Sequence, residues 1–121
     1  MTTASSPKVL IVEDEEEWQR IWTRHLKREG AEVIVASSVE DGERLFEANA
    51  DLTLVIIDGS VGGEKLNSAS LIQKMRQTFP GPIVAASGSS IFRKQMMKIG
   101  CSHEAEKHMI SMLVSKILKE L

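Results

Sequence analysis

Four short runs of this chain are apolar almost without interruption: "KVLIV" at 8–12, "AEVIVA" at 31–36, "LTLVIID" at 52–58 and "PIVAAS" at 82–87. Each has the length and composition of a strand. A strand that is apolar on both faces has to be covered on both faces, which is the condition of a parallel sheet between helical layers. The intervals supply the helices. Trp18, Ile21, Trp22 and Leu26 fall at helical spacing, and that pattern ends at Gly30. Ser38, at capping-box spacing from Asp41, opens a second helix carrying Leu45 and Phe46. Leu71, Ile72, Met75 and Phe79 mark a third, stopped by Pro80-Gly81-Pro82. Ile91 to Ile99 gives a short fourth, closed by Gly100, and Met109, Ile110, Leu113, Ile117, Leu118 and Leu121 give a fifth. "SHEAEK" (102–107) stands where a fifth strand belongs, although its polarity hides it. The pattern is βα five times over: an α/β domain with a doubly wound five-stranded parallel sheet and right-handed crossovers.

A length of 121 residues suits one domain, expected over 7–121 behind a flexible lead at 1–6. With 42% hydrophobic and 26% charged residues the chain can bury a core and is not disordered. A net charge of -2 and the lack of any Lys/Arg block argue against nucleic acid or an anionic membrane as partner. No apolar run approaches the length of a membrane span, and "MTTASSP" has neither the charged nor the apolar region of a signal peptide. The single Cys101 excludes an internal disulfide and a cysteine zinc site, and suits a reducing cytoplasm. Cys101 itself reads as a small buried filler.

In open parallel sheets, sites form beyond the carboxyl ends of the strands. Those ends carry Glu13 and Asp14, Asp58, Ser87 and Lys107. Taken singly, each is an ordinary surface residue; three acids, a hydroxyl and an amine on one edge are not. Three close carboxylates repel unless a cation sits among them, and hard oxygen donors favour Mg²⁺. An Asp at a strand end next to Gly59 is expected to be exposed enough to act as nucleophile toward phosphorus. A lysine, a hydroxyl and the metal suit the oxygens of a phosphoryl group in transit. The run Glu13 to Glu17 divides accordingly: Glu13 and Asp14 belong to the site, and Glu15, Glu16 and Glu17 to a solvated helix start, where negative charge suits the dipole.

On these residues the chain resembles the receiver domain of two-component response regulators, of the single-domain chemotaxis type. "VLIVEDE" resembles the acidic-pair strand, "LVIIDG" the phosphoacceptor strand, "PIVAASG" the hydroxyl strand, and "GCSHEAEK" the lysine segment. The resemblance implies a flavodoxin-like fold with strand order 2-1-3-4-5. It implies Asp58 as phosphoacceptor, with Mg²⁺ held by Asp14, Asp58 and the backbone carbonyl of Ser60, and with Glu13 acting through a metal-bound water. Ser87 and Lys107 would bind the phosphoryl oxygens. A sensor histidine kinase or phosphotransfer protein would be the donor, and a further protein the target of a switched face made by the fourth helix, fifth strand and fifth helix. Such a protein is a switch, not an enzyme, beyond autophosphorylation from small donors and autodephosphorylation. No second acid lies two residues after Asp58 to act as general acid, which sets a hydrolase aside.

The chain departs from that pattern at the output side. Glu104 stands where the family has Tyr or Phe, and there is no Tyr in the chain. His108 replaces the proline that follows the lysine through a cis bond, so a trans bond or a rebuilt loop is expected. The loop after Asp58 is long and carries Gly62-Gly63, which permits positive φ and mobility. The segment from Ser87 to Gly100 is short, which predicts a short or skewed fourth helix. These departures keep two other readings open: a receiver-like docking module that works without phosphate, and a phosphotransfer intermediate.

Overall fold

Five strands and five helices alternate along the residues that the computed structural model describes, 6–121. Most of the expected flexible lead therefore lies outside the described residues. The elements are β1 (Lys8–Val12), α1 (Glu16–Arg28), β2 (Glu32–Ala36), α2 (Val39–Ala48), β3 (Leu54–Asp58), α3 (Ala69–Thr78), β4 (Ile83–Ala86), α4 (Ser90–Ile99), β5 (His103–Ala105) and α5 (Ile110–Glu120). All pairings are parallel, in the order β2-β1-β3-β4-β5.

Strand alternation explains the unbroken apolar runs. Leu10, Val12, Val55, Ile57, Ile83 and Ala85 point to one face and pack under α2, α3 and α4, against Leu71, Ile72, Met75 and Met96. Val9, Ile11, Leu54, Ile56, Val84 and Ala86 point to the other and pack under α1 and α5, against Trp22, Leu26, Ile110 and Val114. Both faces of β1, β3 and β4 are thus dry. The register aligns Val12 with Ala36 and Ile57, and Asp58 with Ala86, so the residues just beyond share one edge.

Two helix starts carry side-chain caps, the first of them the one expected at Ser38. The Ser38 hydroxyl accepts from the Asp41 N–H at 3.1 Å, and the Ser89 hydroxyl accepts from the Phe92 N–H at 3.1 Å. Two expectations need correction. α4 is not short: it has 10 residues, as α2 and α3 do, and the economy lies in the three-residue connection before it. The fifth strand covers 103–105, not 102–107, because Lys107–Met109 coils into a 3-10 turn. The loop after Asp58 is braced. Gly62 takes φ +72°, the positive value its glycine permits, and Asn67 clamps the N–H and the carbonyl of Val61 at 2.9 and 2.8 Å. All peptide bonds among the described residues are trans, as expected for the Lys107–His108 bond. No helix among the described residues is long and apolar enough to cross a membrane.

The turn into β4 is sterically tight. A Cβ on Gly81 would lie 2.6 Å from the Phe79 ring and 3.0 Å from the Thr53 carbonyl oxygen, whereas one on Gly63 meets nothing within 4 Å. Gly81→Ala should therefore cost about 1–3 kcal/mol. Gly63→Ala should be neutral to slightly stabilising. Urea unfolding of the two variants measures the contrast; equal midpoints would contradict this account of the turn.

Candidate functional site

The strand ends deliver Glu13, Asp14 and Asp58 to one place. Carboxylate oxygens of the three lie within 4.8 Å of one another. Glu13 is fully buried and Asp14 half-buried, and Asp58 is not exposed as expected but 4% exposed, because its strand is covered on both faces up to its last residue. The Glu13 backbone continues the sheet by one bond, its N–H donating to the Ala36 carbonyl at 3.0 Å. Its carboxylate accepts from the Glu15 N–H at 3.1 Å, and its carbonyl accepts from the Gln19 amide at 2.6 Å. The Ser60 N–H lies near the Asp58 carboxylate and favours its charged form.

Lys107 faces this cluster, mostly buried. Its Nζ lies 2.8 Å from Glu13 Oε1, 3.2 Å from Glu15 Oε1 and 3.5 Å from Asp58 Oδ2. One ammonium stands against four carboxylates, counting Asp14, so the balance of charge is negative. Burial pushes the Glu13 carboxyl up to about 7; the Asp58 charge adds to the rise, while Lys107 and the Glu15 N–H oppose it. Burial raises Asp58 above the usual carboxylate range too, with Asp14 adding and Lys107 and the Ser60 N–H opposing. Burial works against the Lys107 ammonium, but its contact with Glu13 and the charge of Asp58 outweigh that and raise its pKa.

The lysine is held from behind. The Trp22 indole N–H donates to the Lys107 carbonyl at 3.1 Å, from α1 to the 3-10 turn. Trp18 stacks on Trp22 with ring centroids 5.8 Å apart. A buried indole N–H needs an acceptor, so a partner for Trp22 was foreseeable; that it would be the lysine carbonyl was not. Glu15 is the second residue missed. It precedes α1 with extended φ/ψ and turns its side chain to Lys107, so it belongs to the site and not to the solvated helix start.

Ser87 follows β4 at the strand end beside Asp58, 5% exposed. Its hydroxyl accepts from the Ser89 N–H at 3.1 Å. Of the remaining expected positions, Ser60 adjoins the cluster through its N–H, and its hydroxyl donates to the Gly63 carbonyl. Glu104 and His108 do not enter the site. Glu104 accepts from Arg93 Nε at 3.1 Å, and exposed His108 lies 3.6 Å from Glu106. Cys101 is buried, and burial pushes its thiol up to about 12, so it is inert packing.

The donor set fits a small hard cation. Three carboxylates offer oxygen only, and their oxygens come within 4.8 Å of one another.

An open doubly wound sheet with an acidic cluster at its carboxyl edge is the flavodoxin-like arrangement, in the 2-1-3-4-5 order. Solved structures of response-regulator receiver domains share this fold. A response regulator receiver domain protein (CheY-like) from Methanospirillum hungatei JF-1 matches with TM-score 0.79 at 20% identity, over 96% of this chain and 93% of that one. A two-component response regulator from Clostridium difficile matches with TM-score 0.80 at 17% identity, over 94% and 97%. A receiver domain protein from Clostridium thermocellum matches with TM-score 0.74 at 22% identity, over 94% and 95%. No protein-family model and no curated protein matches the sequence. At these identities the likeness is one of fold.

Proposed function

We propose that the chain is a response-regulator receiver, one domain over 7–121, that takes a phosphoryl group on Asp58 and switches a protein-interaction surface. The observation that carries the reading is the convergence of Glu13, Asp14 and Asp58, with Lys107 against Glu13 and Asp58, at the edge where Ser87 follows its strand. Asp14, Asp58 and the Ser60 carbonyl would hold Mg²⁺, with Glu13 acting through water; the cation would neutralise the crowded acids and draw charge from the phosphoryl oxygens. Asp58 supplies the nucleophilic oxygen. Its bond to phosphorus forms as the phosphorus–nitrogen bond of a donor phosphohistidine breaks, and the departing imidazole keeps the electron pair. Lys107, now shared among carboxylates, turns to one phosphoryl oxygen, and the Ser87 hydroxyl donates to another. The donor would be a sensor histidine kinase or phosphotransfer protein in the cytoplasm.

The surface to be switched is an apolar groove of about 370 Å³ between β5 and α5, formed by Ala105, Met109, Met112 and Leu113 with Glu104 at its rim. Met109 and Met112 are 40% and 63% exposed, as a protein-docking face requires.

The test is chemical. With Mg²⁺ and acetyl phosphate the protein should gain one hydroxylamine-labile phosphate, and Asp58→Asn should abolish it. If the wild type stays unlabelled at millimolar Mg²⁺, the phosphoacceptor reading is wrong and the groove is a docking module independent of phosphate. If label then passes to an added histidine phosphotransfer protein faster than it is lost to water, the chain is a relay intermediate.

A further inference from the structure

We propose that Arg93 is a positioning residue for Ser87 and the link that carries a change at Asp58 to the β5–α5 groove. This rests on the phosphoacceptor reading and concerns how that site is read out.

Arg93 lies in the first turn of α4 with its side chain 16% exposed. Its guanidinium makes two bonds of different origin. Nη1 donates to the Ser87 carbonyl at 2.8 Å, and Nε donates to Glu104 Oε1 at 3.1 Å. One planar, rigid group thus joins the residue that carries the site hydroxyl to the strand that rims the groove. Lysine could not make both bonds, because its ammonium is a single point on a flexible stem.

The start of α4 is assembled on Ser87. The Ser87 hydroxyl accepts from the Ser89 N–H, the Ser89 hydroxyl caps the Phe92 N–H, and the Ser87 carbonyl takes Arg93. A phosphoryl group on Asp58 puts charged oxygens beside the strand end next to Ser87, since Asp58 is in register with Ala86. When the Ser87 side chain turns so that its hydroxyl donates to one of them, the bond it accepts from Ser89 and the orientation of its carbonyl change together. Arg93 then keeps Ser87 or Glu104, but not both in the present geometry. Either outcome alters the charge at the groove rim, where Glu104 adjoins Ala105, Met109 and Met112. No aromatic side chain takes part.

The experiment uses the full chain with Mg²⁺ and beryllofluoride, an aspartyl-phosphate mimic, followed by backbone amide NMR. In the wild type, amides of Ser87 and Gly88 and of the groove residues Ala105, Met109 and Met112 should all shift. Arg93→Ala should weaken beryllofluoride binding by about five- to tenfold, the effect of one lost positioning hydrogen bond, and should silence the groove amides. Arg93→Lys, which retains one bond, should recover binding but not the groove response. Glu104→Gln, at an exposed position that should leave folding intact, should bind as the wild type does and lose most of the groove shift. Groove shifts of wild-type size in both Arg93→Ala and Glu104→Gln would overturn the link alone. A wild type with no beryllofluoride response at all would overturn the phosphoacceptor reading, and the link with it.

Discussion

Lys107→Ala should leave the protein nearly as stable as the wild type at pH 5.5 and about 3 kcal/mol less stable at pH 8.5 without Mg²⁺, as expected when one partner of a buried ion pair is removed. The reasoning starts from Glu13. Its pKa is raised from 4.5 to about 7 in the folded protein. A carboxyl whose folded pKa lies above its unfolded value gives stability that is fully present below pH 4.5 and is lost as pH rises through about 7. In the wild type the loss then levels off, because Lys107, 2.8 Å away, holds the ionised form. Without Lys107 the Glu13 and Asp58 carboxyls lose the group that opposes their burial, and their folded pKa values climb further. The decline in stability then continues above pH 7, by up to about 1.4 kcal/mol per pH unit for each retained proton. Mg²⁺ should recover much of the loss, since a cation among the acids does what the ammonium did. Urea unfolding at the two pH values, with and without Mg²⁺, measures all of this. A loss of equal size at both pH values would mean that Lys107 acts through packing alone.

The same residues show what could be read from the chain before folding and what could not. The ends of β1, β3 and β4 were legible because both faces of those strands are dry, so their apolar runs stop where the sheet stops. That placed Glu13, Asp14, Asp58 and Ser87 on one edge. β5 was hard to bound because it is a three-residue edge strand whose side chains meet solvent, and such a strand carries no apolar signature. Lys107 was placed correctly at that edge even so, although by a turn and not by the strand. The contacts of Trp22, Glu15 and Arg93 were not legible. Trp22 reaches Lys107 across 85 residues and Glu15 across 92, and local spacing says nothing about such pairs. Arg93 sits on the solvent-rich start of α4, where an arginine ordinarily means only solubility; its value comes from the Ser87 carbonyl, and a backbone acceptor leaves no trace in side-chain pattern.

Asp14→Ala should weaken Mg²⁺ binding by about 100-fold or more, and Glu17→Ala by less than about twofold; a charge near 4 Å contributes about 4 kcal/mol near a protein surface, whereas an exposed charge outside the cluster is largely screened by water and salt. Asp14 shares the 4.8 Å cluster with Asp58 and Glu13, whereas Glu17 lies on the exposed side of α1. The wild-type affinity should also depend on pH. Because the Glu13 carboxyl is protonated below about 7, entry of the cation has to displace that proton. The affinity should then rise by up to about tenfold per pH unit below that value and flatten above it. Glu13→Gln should bind more weakly and show a flatter profile. Indole fluorescence can follow the titration, since Trp22 touches the backbone of Lys107 and Trp18 stacks on Trp22. Calorimetry would check the stoichiometry. An Asp14→Ala protein that binds Mg²⁺ as tightly as the wild type would sink the assignment of the cation to these three acids, because no other described group of three acidic, histidine or cysteine side chains comes together.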